Sequence, residues 1–198
     1  MSATTTRIIL ISSAFVVGLA VAFGAIMLMT GRSVGPVGQA SAVGGPFRLV
    51  DGNGKVVTDQ DMKGKPFLVF FGFTHCPEVC PTTLFELSEV FRQLGTDADK
   101  TAGLFISVDP ERDTPAVMKD YLANFDPHLH GLTGSREQID AVLQEYRVYS
   151  KKVPLKDGDY TMDHSALVYL MDKQGRFVAP FNLKRSAEAA AADLRKYL

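Results

Sequence analysis

The chain has 198 residues, of which 46% are hydrophobic and 22% charged, with 21 basic against 22 acidic side chains. That length suits one domain of ordinary size with residues to spare, and a net charge of −1 supplies no field for nucleic acid. Scattered Gly (17) and Pro (10) in an apolar-rich chain argue against collagen and disorder, and two cysteines cannot build a disulfide scaffold, so stability must come from a packed core.

A seven-residue leader, residues 1–7, carries only Arg7 as a basic residue. Ile8 to Met29 then run without a charge, flanked by Arg7 and Arg32, and as a helix this stretch crosses the roughly 30 Å hydrocarbon core of a bilayer. Ala40-Ser41-Ala42 looks like a signal-peptidase site. The apolar run, however, exceeds the roughly 7–15 residues of a signal h-region and ends well before that site, so it reads as an uncleaved anchor. The leader and the large carboxy-terminal part fit an N-in, C-out, single-pass topology in the inner (cytoplasmic) membrane, with the domain on the non-cytoplasmic, periplasmic-type side. Residues 30–45, rich in Gly, Ser and Ala, form a flexible tether, and residues 46–198 form the folded domain.

Within that domain, Phe47–Val50 and Lys55–Thr58 flank Asp51-Gly52-Asn53-Gly54, a hairpin signal because Gly and Asn tolerate positive φ. The turn resembles the start of a calcium loop but lacks the later acidic ligands, so it reads as a plain turn. Phe67 to Phe73 is a continuous aromatic and β-branched run, the pattern of a strand buried on both faces. A loop from Thr74 to Cys80 follows, and Pro81 opens a helix striped by Leu84, Leu87, Phe91 and Leu94. Gly103–Val108 is a second buried strand. Thr114-Pro115 starts a helix with Met118, Tyr121, Leu122 and Phe125 on one face. Ser135 and Gln138 form a capping box for a third helix, and a short strand is expected between the two. Ala166–Met171 and Arg176–Ala179 read as a hairpin about Lys173-Gln174-Gly175, with Pro180 marking a sheet edge, and Ser186–Leu198 is helical. The order hairpin, βα, βα, α, hairpin, α calls for an α/β sheet with helices on both faces. A strand, a Cys-bearing loop and a helix at its carboxyl end make the thioredoxin-like arrangement, here with an added N-terminal β-hairpin and preceded by one transmembrane helix.

Thr74-His75-Cys76-Pro77-Glu78-Val79-Cys80-Pro81 holds both cysteines at C-x-x-x-C spacing, one residue more than the redox C-x-x-C motif. At a helix amino terminus, unpaired N–H groups and the helix dipole stabilise negative charge and lower thiol pKa. Two such thiols can close a structural disulfide, exchange disulfides, or bind a soft metal. Zinc needs further ligands, whereas copper(I) is soft and tolerates two- or three-coordinate geometry, so two Cys and one imidazole suffice. Of the four histidines, His75 reads as a packing or rim residue, and His128 with His130 as a surface pair. His164, in the loop before the carboxy-terminal hairpin, is placed where a thioredoxin-like sheet approaches the cysteine-bearing helix; the alternative is a surface loop histidine.

Three ordered motifs, Gly72 to Leu84, Ser107-Val108-Asp109-Pro110-Glu111-Arg112-Asp113-Thr114-Pro115, and Asp163-His164-Ser165 followed by Tyr169-Leu170 and Gly175, resemble the Sco/SenC family over roughly residues 46–198. These are membrane-anchored, thioredoxin-like copper chaperones for cytochrome c oxidase assembly. The resemblance implies that Cys76, Cys80 and His164 bind one copper ion and makes Asp109 a candidate residue behind the ligands, orienting one of them or attracting the cation; the alternative is that Asp109 caps a turn beside Pro110. It implies delivery of copper to the dinuclear Cu-A site of cytochrome c oxidase subunit II, with another periplasmic copper chaperone as a candidate donor. The rival is a thiol–disulfide oxidoreductase in which Cys76 and Cys80 reduce the Cu-A cysteines or act in redox signalling. A thiol peroxidase ranks below both, because no sequence feature supplies a peroxide-activating arginine.

Overall fold

The structure is a computed structural model that describes residues 17–23, 43–156 and 158–198. The chain divides into two units, residues 1–40 and residues 41–198. Of the expected anchor at 8–29, only residues 17–23 are described, and they are helical. The rest of the anchor, the leader 1–7 and the tether up to residue 42 lie outside the described residues. Among the described residues, no helix is long and apolar enough to cross a membrane.

The second unit is built on a seven-stranded sheet of order β2-β1-β5-β4-β3-β8-β9. Its amino-terminal hairpin is β1 (Arg48–Asp51) and β2 (Val56–Thr58), paired with Leu49 opposite Val57. The Asp51 carboxylate accepts from the backbone N–H of Asn53 (2.8 Å) and Lys55 (2.9 Å), and Gly54 adopts φ 77°. That carboxylate is therefore committed to a turn, as the sequence suggests.

β3 (Phe67–Gly72) and β4 (Ala102–Ser107) are buried along their whole length and pair in parallel, and β5 (Leu129–Thr133) continues the parallel set beyond β4. Successive side chains of a strand alternate between faces, so both faces need cover. On one face Phe70 stacks on Phe105 at 5.8 Å, and Phe105 meets Tyr121 at 5.9 Å. On the other, Phe71 meets Tyr146 at 5.3 Å and Tyr169 at 6.0 Å.

Four helices supply the cover. α1 (Val79–Leu94) begins two residues before Pro81, because a proline in the first turn lacks only an N–H that has no helical partner there. Cys80 is consequently a helix residue, not a loop residue. α2 (Pro115–Leu122) is capped by the Thr114 hydroxyl, and α3 (Arg136–Glu145) by the expected Ser135–Gln138 box. α4 (Ala187–Leu194) packs on α1. β8 (Val168–Met171) runs antiparallel to β3, and β9 (Phe177–Pro180) forms the edge that Pro180 signals.

One element has no counterpart in the sequence reading. β6 (Ser150–Pro154) and β7 (Tyr160–His164) form a separate antiparallel two-stranded sheet, with Ser150 opposite His164. His164 is thus the last residue of a strand rather than part of a loop. Short, charged and only partly buried strands give no clean alternation, which hides them from a periodicity argument.

His128 also departs from the surface-pair reading, whereas His130 is exposed. The His128 ring stacks on Phe91 at 5.5 Å, with Nδ1 2.7 Å from Asp126 and Nε2 3.1 Å from Asp99. A carboxylate can only accept, so the two contacts together favour the doubly protonated, charged ring. Partial burial opposes that charge, but the hydrogen bonds to Asp126 and Asp99 outweigh it and hold the pKa above the usual histidine value. Because the folded pKa exceeds the unfolded value of about 6.5, the contribution is full below that pH and is lost as pH rises through the folded value. Urea midpoints should therefore show a pH-dependent component of at most about 1 kcal/mol that His128→Gln removes; identical pH profiles for the two proteins would contradict a charged clamp.

Candidate metal centre

Where β3 ends, the chain turns on a buried carboxylate. Asp113, with 0% of its surface exposed, accepts from the Ser107 hydroxyl at 2.6 Å, the Thr74 hydroxyl at 2.6 Å and the Thr74 N–H at 3.2 Å. Burial pushes the Asp113 carboxyl above its ordinary range, while hydrogen bonds from Ser107 and Thr74 pull it back down. The Thr74 hydroxyl donates to Asp113, so the neighbouring His75 Nδ1, 3.1 Å away, is the donor of its own contact. His75 is exposed and stands on the rim, as expected.

The cysteines follow directly. Cys76 is half-buried and Cys80 fully buried, and both are free thiols. The Cys76 N–H donates to the Phe73 carbonyl at 3.2 Å, and the Cys80 N–H donates to Cys76 Sγ at 3.4 Å, so the first sulfur takes one of the unpaired amides of the helix start. Cys80 Sγ lies against the backbone of Gly72. A Cβ on that residue would stand 2.8 Å from the sulfur and 2.6 Å from the Phe105 ring.

The expected fall in thiol pKa does not hold at Cys80. Burial pushes its thiol strongly up, and a backbone hydrogen bond with Phe73 offsets only part of this. Desolvation of an enclosed sulfur outweighs the helix dipole, which acts best on groups at the open end of the first turn.

From the separate hairpin, the His164 ring meets Phe73 edge-on at 5.8 Å. Its Nδ1 is 3.0 Å from the Ser165 carbonyl, and its Nε2 is 3.9 Å from Cys80 Sγ. A carbonyl cannot donate, so Nδ1 holds the proton, and in the neutral ring the Nε2 lone pair faces the sulfur. The structure thus brings the three sequence candidates to one end of the sheet. Among the described residues, no group of three or more His, Cys, Asp or Glu side chains is placed so that it could hold a metal ion; the close pair is Cys80 with His164, and Cys76 Sγ is joined to Cys80 through its backbone N–H.

Asp109 stands elsewhere in the network. It is 2% exposed, and its carboxylate accepts from Arg112 Nε at 2.5 Å and the Tyr160 hydroxyl at 3.0 Å. Its link to the candidate ligands runs through Tyr160, which shares β7 with His164. The sequence reading passed over Arg112, Asp113 and Tyr160. The first two lie inside a quoted motif and were legible as charged residues beside Asp109, but Tyr160 gives no local signal.

A β-strand, a thiol-bearing turn and a helix in a sheet of this order make a thioredoxin-like domain, here with two soft sulfur donors and an imidazole at the strand's carboxyl end. Residues 36–198 match the family model described as SCO1/SenC, and the chain belongs to that family. Protein SCO2 homolog, mitochondrial, of Bos taurus is 44% identical over 163 residues, covering 81% of this chain and 61% of that protein. Protein SCO1 homolog 1, mitochondrial, of Arabidopsis thaliana is 43% identical over 145 residues, 73% of this chain and 43% of that protein. The chain therefore spans less than two thirds of the length of either relative. The structure of Bradyrhizobium japonicum ScoI with copper bound superposes with a TM-score of 0.78 at 69% identity, covering 79% of this chain and 100% of that one.

Gly72→Ala tests the close approach. The new methyl must displace either the Phe105 ring or the Cys80 sulfur, so stability should fall by about 1–3 kcal/mol and Cys80 should be alkylated faster than in wild type. Unchanged stability together with unchanged alkylation would show that the site tolerates the methyl.

Proposed function

We propose that this chain is a membrane-anchored copper metallochaperone that holds one copper ion on Cys76, Cys80 and His164 and delivers it to the Cu-A site of cytochrome c oxidase subunit II. The observation that carries the reading is the His164 geometry, with Nδ1 committed to the Ser165 carbonyl and Nε2 3.9 Å from Cys80 Sγ. With bonds of about 2.3 Å to sulfur and about 2.0 Å to nitrogen, one ion separates such donors by about 3.7 Å at a trigonal angle and about 4.3 Å at a linear one. Two sulfurs and an imidazole also match the preference of copper(I) for soft donors and low coordination. The Sco family is one of cytochrome c oxidase assembly proteins, and the Bradyrhizobium relative holds copper.

The burial difference gives the exchange an order. Cys76 is half-exposed and meets an incoming donor first, whereas Cys80 is enclosed and closes the shell afterwards. Each thiol gives up its proton as it takes the cation, which restores favourable electrostatics to the buried sulfur. On delivery the acceptor's thiolates replace the donor's singly, so bare copper is never released. A helix spanning residues 8–29 would hold the domain at the membrane surface on the non-cytoplasmic side, where a periplasmic donor chaperone and the oxidase meet it.

The free, adjacent thiols also suit reduction of the acceptor's cysteines. His164→Ala separates the roles: a redox-competent variant that fails in oxidase assembly supports chaperoning, and full assembly supports reduction. Copper titration of Cys76→Ala, Cys80→Ala and His164→Ala should show tight binding lost in the cysteine variants and affinity weakened by at least about tenfold in the histidine variant. Unchanged stoichiometry and spectrum in all three would remove the site.

A further inference from the structure

The two halves of this site sit on separate pieces of backbone. The sulfurs belong to the turn and helix after β3, and the imidazole to β7 in a two-stranded sheet of its own. A ladder of backbone hydrogen bonds holds β7 to β6, three residues join β7 to β8 on the main sheet, and Met162 of β7 packs against the core, so side-chain contacts act with the chain connection to set where the hairpin stands against the sulfurs.

Arg112 reaches both halves. Its guanidinium carbon lies 3.7 Å from the centroid of the Tyr160 ring on β7 and 5.9 Å from that of Phe73, which leads into the cysteine turn. Its Nη1 donates to the Tyr160 carbonyl at 3.0 Å, and its Nε donates to Asp109 at 2.5 Å. Phe73 in turn meets the His164 ring. A second tie, Lys152 to Glu111 at 2.7 Å, joins side chains that are 44% and 57% exposed and contributes little in water. Arg112 is only 16% exposed, and its Nη2 is buried without a hydrogen-bond partner.

We infer that Arg112 is a positioning residue that sets where His164 stands relative to Cys76 and Cys80, by placing its guanidinium over the Tyr160 ring and between that ring and Phe73. The inference rests on the reading of those three residues as copper ligands. It requires the planar fork, because an ammonium can neutralise Asp109 but cannot stack on the ring and bond the carbonyl together.

The test compares the full chain as wild type, Arg112→Lys, Arg112→Ala and His164→Ala. Three measurements are made: imidazole-nitrogen coupling in the electron paramagnetic resonance spectrum with Cu(II), copper affinity by chelator competition, and amide hydrogen exchange of the metal-free proteins. Both Arg112 variants should lose nitrogen coupling toward the His164→Ala spectrum and bind copper about tenfold more weakly. In the metal-free state their β6 and β7 amides should exchange faster while β3 and β4 remain protected. If the alanine protein does not fold, Arg112→Lys decides alone. Nitrogen coupling present in wild type and unchanged in Arg112→Lys overturns the inference. Wild type without nitrogen coupling overturns the His164 assignment beneath it.

Discussion

Three donors from two neighbouring segments close on the Asp113 carboxyl, none of whose surface touches water. Ser107 ends β4, and Thr74 follows β3, so this one group ties together the carboxyl ends of two adjacent parallel strands. The chain leaving β3 has no freedom until it passes Thr74, and two residues later it presents Cys76. The tie thereby fixes the point from which the cysteine turn departs toward the helix start. An unpaired buried carboxyl would cost several times what one hydrogen bond gains; saturating it turns a liability into a rigid corner.

The corner gives two chemically similar sulfurs different environments. Cys76 receives the Cys80 amide and is partly open, while Cys80 is enclosed against the bare α-carbon of Gly72, and burial pushes its thiol pKa up. Under the proposed reading, binding of a soft cation would remove the Cys80 proton and supply a positive charge to the enclosed sulfur at once.

Much of the framework was legible in the sequence because its signals are local. The Asp51–Gly54 turn, the runs at Phe67 and Gly103, the Ser135–Gln138 box and the Pro180 edge each follow from chemistry within a few residues. The approach of His164 to the cysteines was legible only through fold analogy and family resemblance, since no local pattern joins residues 84 positions apart. The β6–β7 hairpin was hidden because its strands are short, lysine-bearing and only partly buried, with contacts that come as much from Tyr160 and Arg112 as from the apolar Met162. The thiol pKa at Cys80 departs from the sequence expectation for a related reason: the helix start is visible in sequence, but the burial of the sulfur against the Gly72 backbone is not.

The histidine-bearing ribbon shares no ladder with the seven-stranded sheet. It is held to the rest of the domain by ring contacts, by side-chain bonds, by Met162 against the core and by the three residues that lead from His164 into β8. The molecule thus carries its two sulfurs at the end of the main sheet and its imidazole on a ribbon outside that sheet, so the two kinds of donor belong to parts of the fold that share no backbone rung.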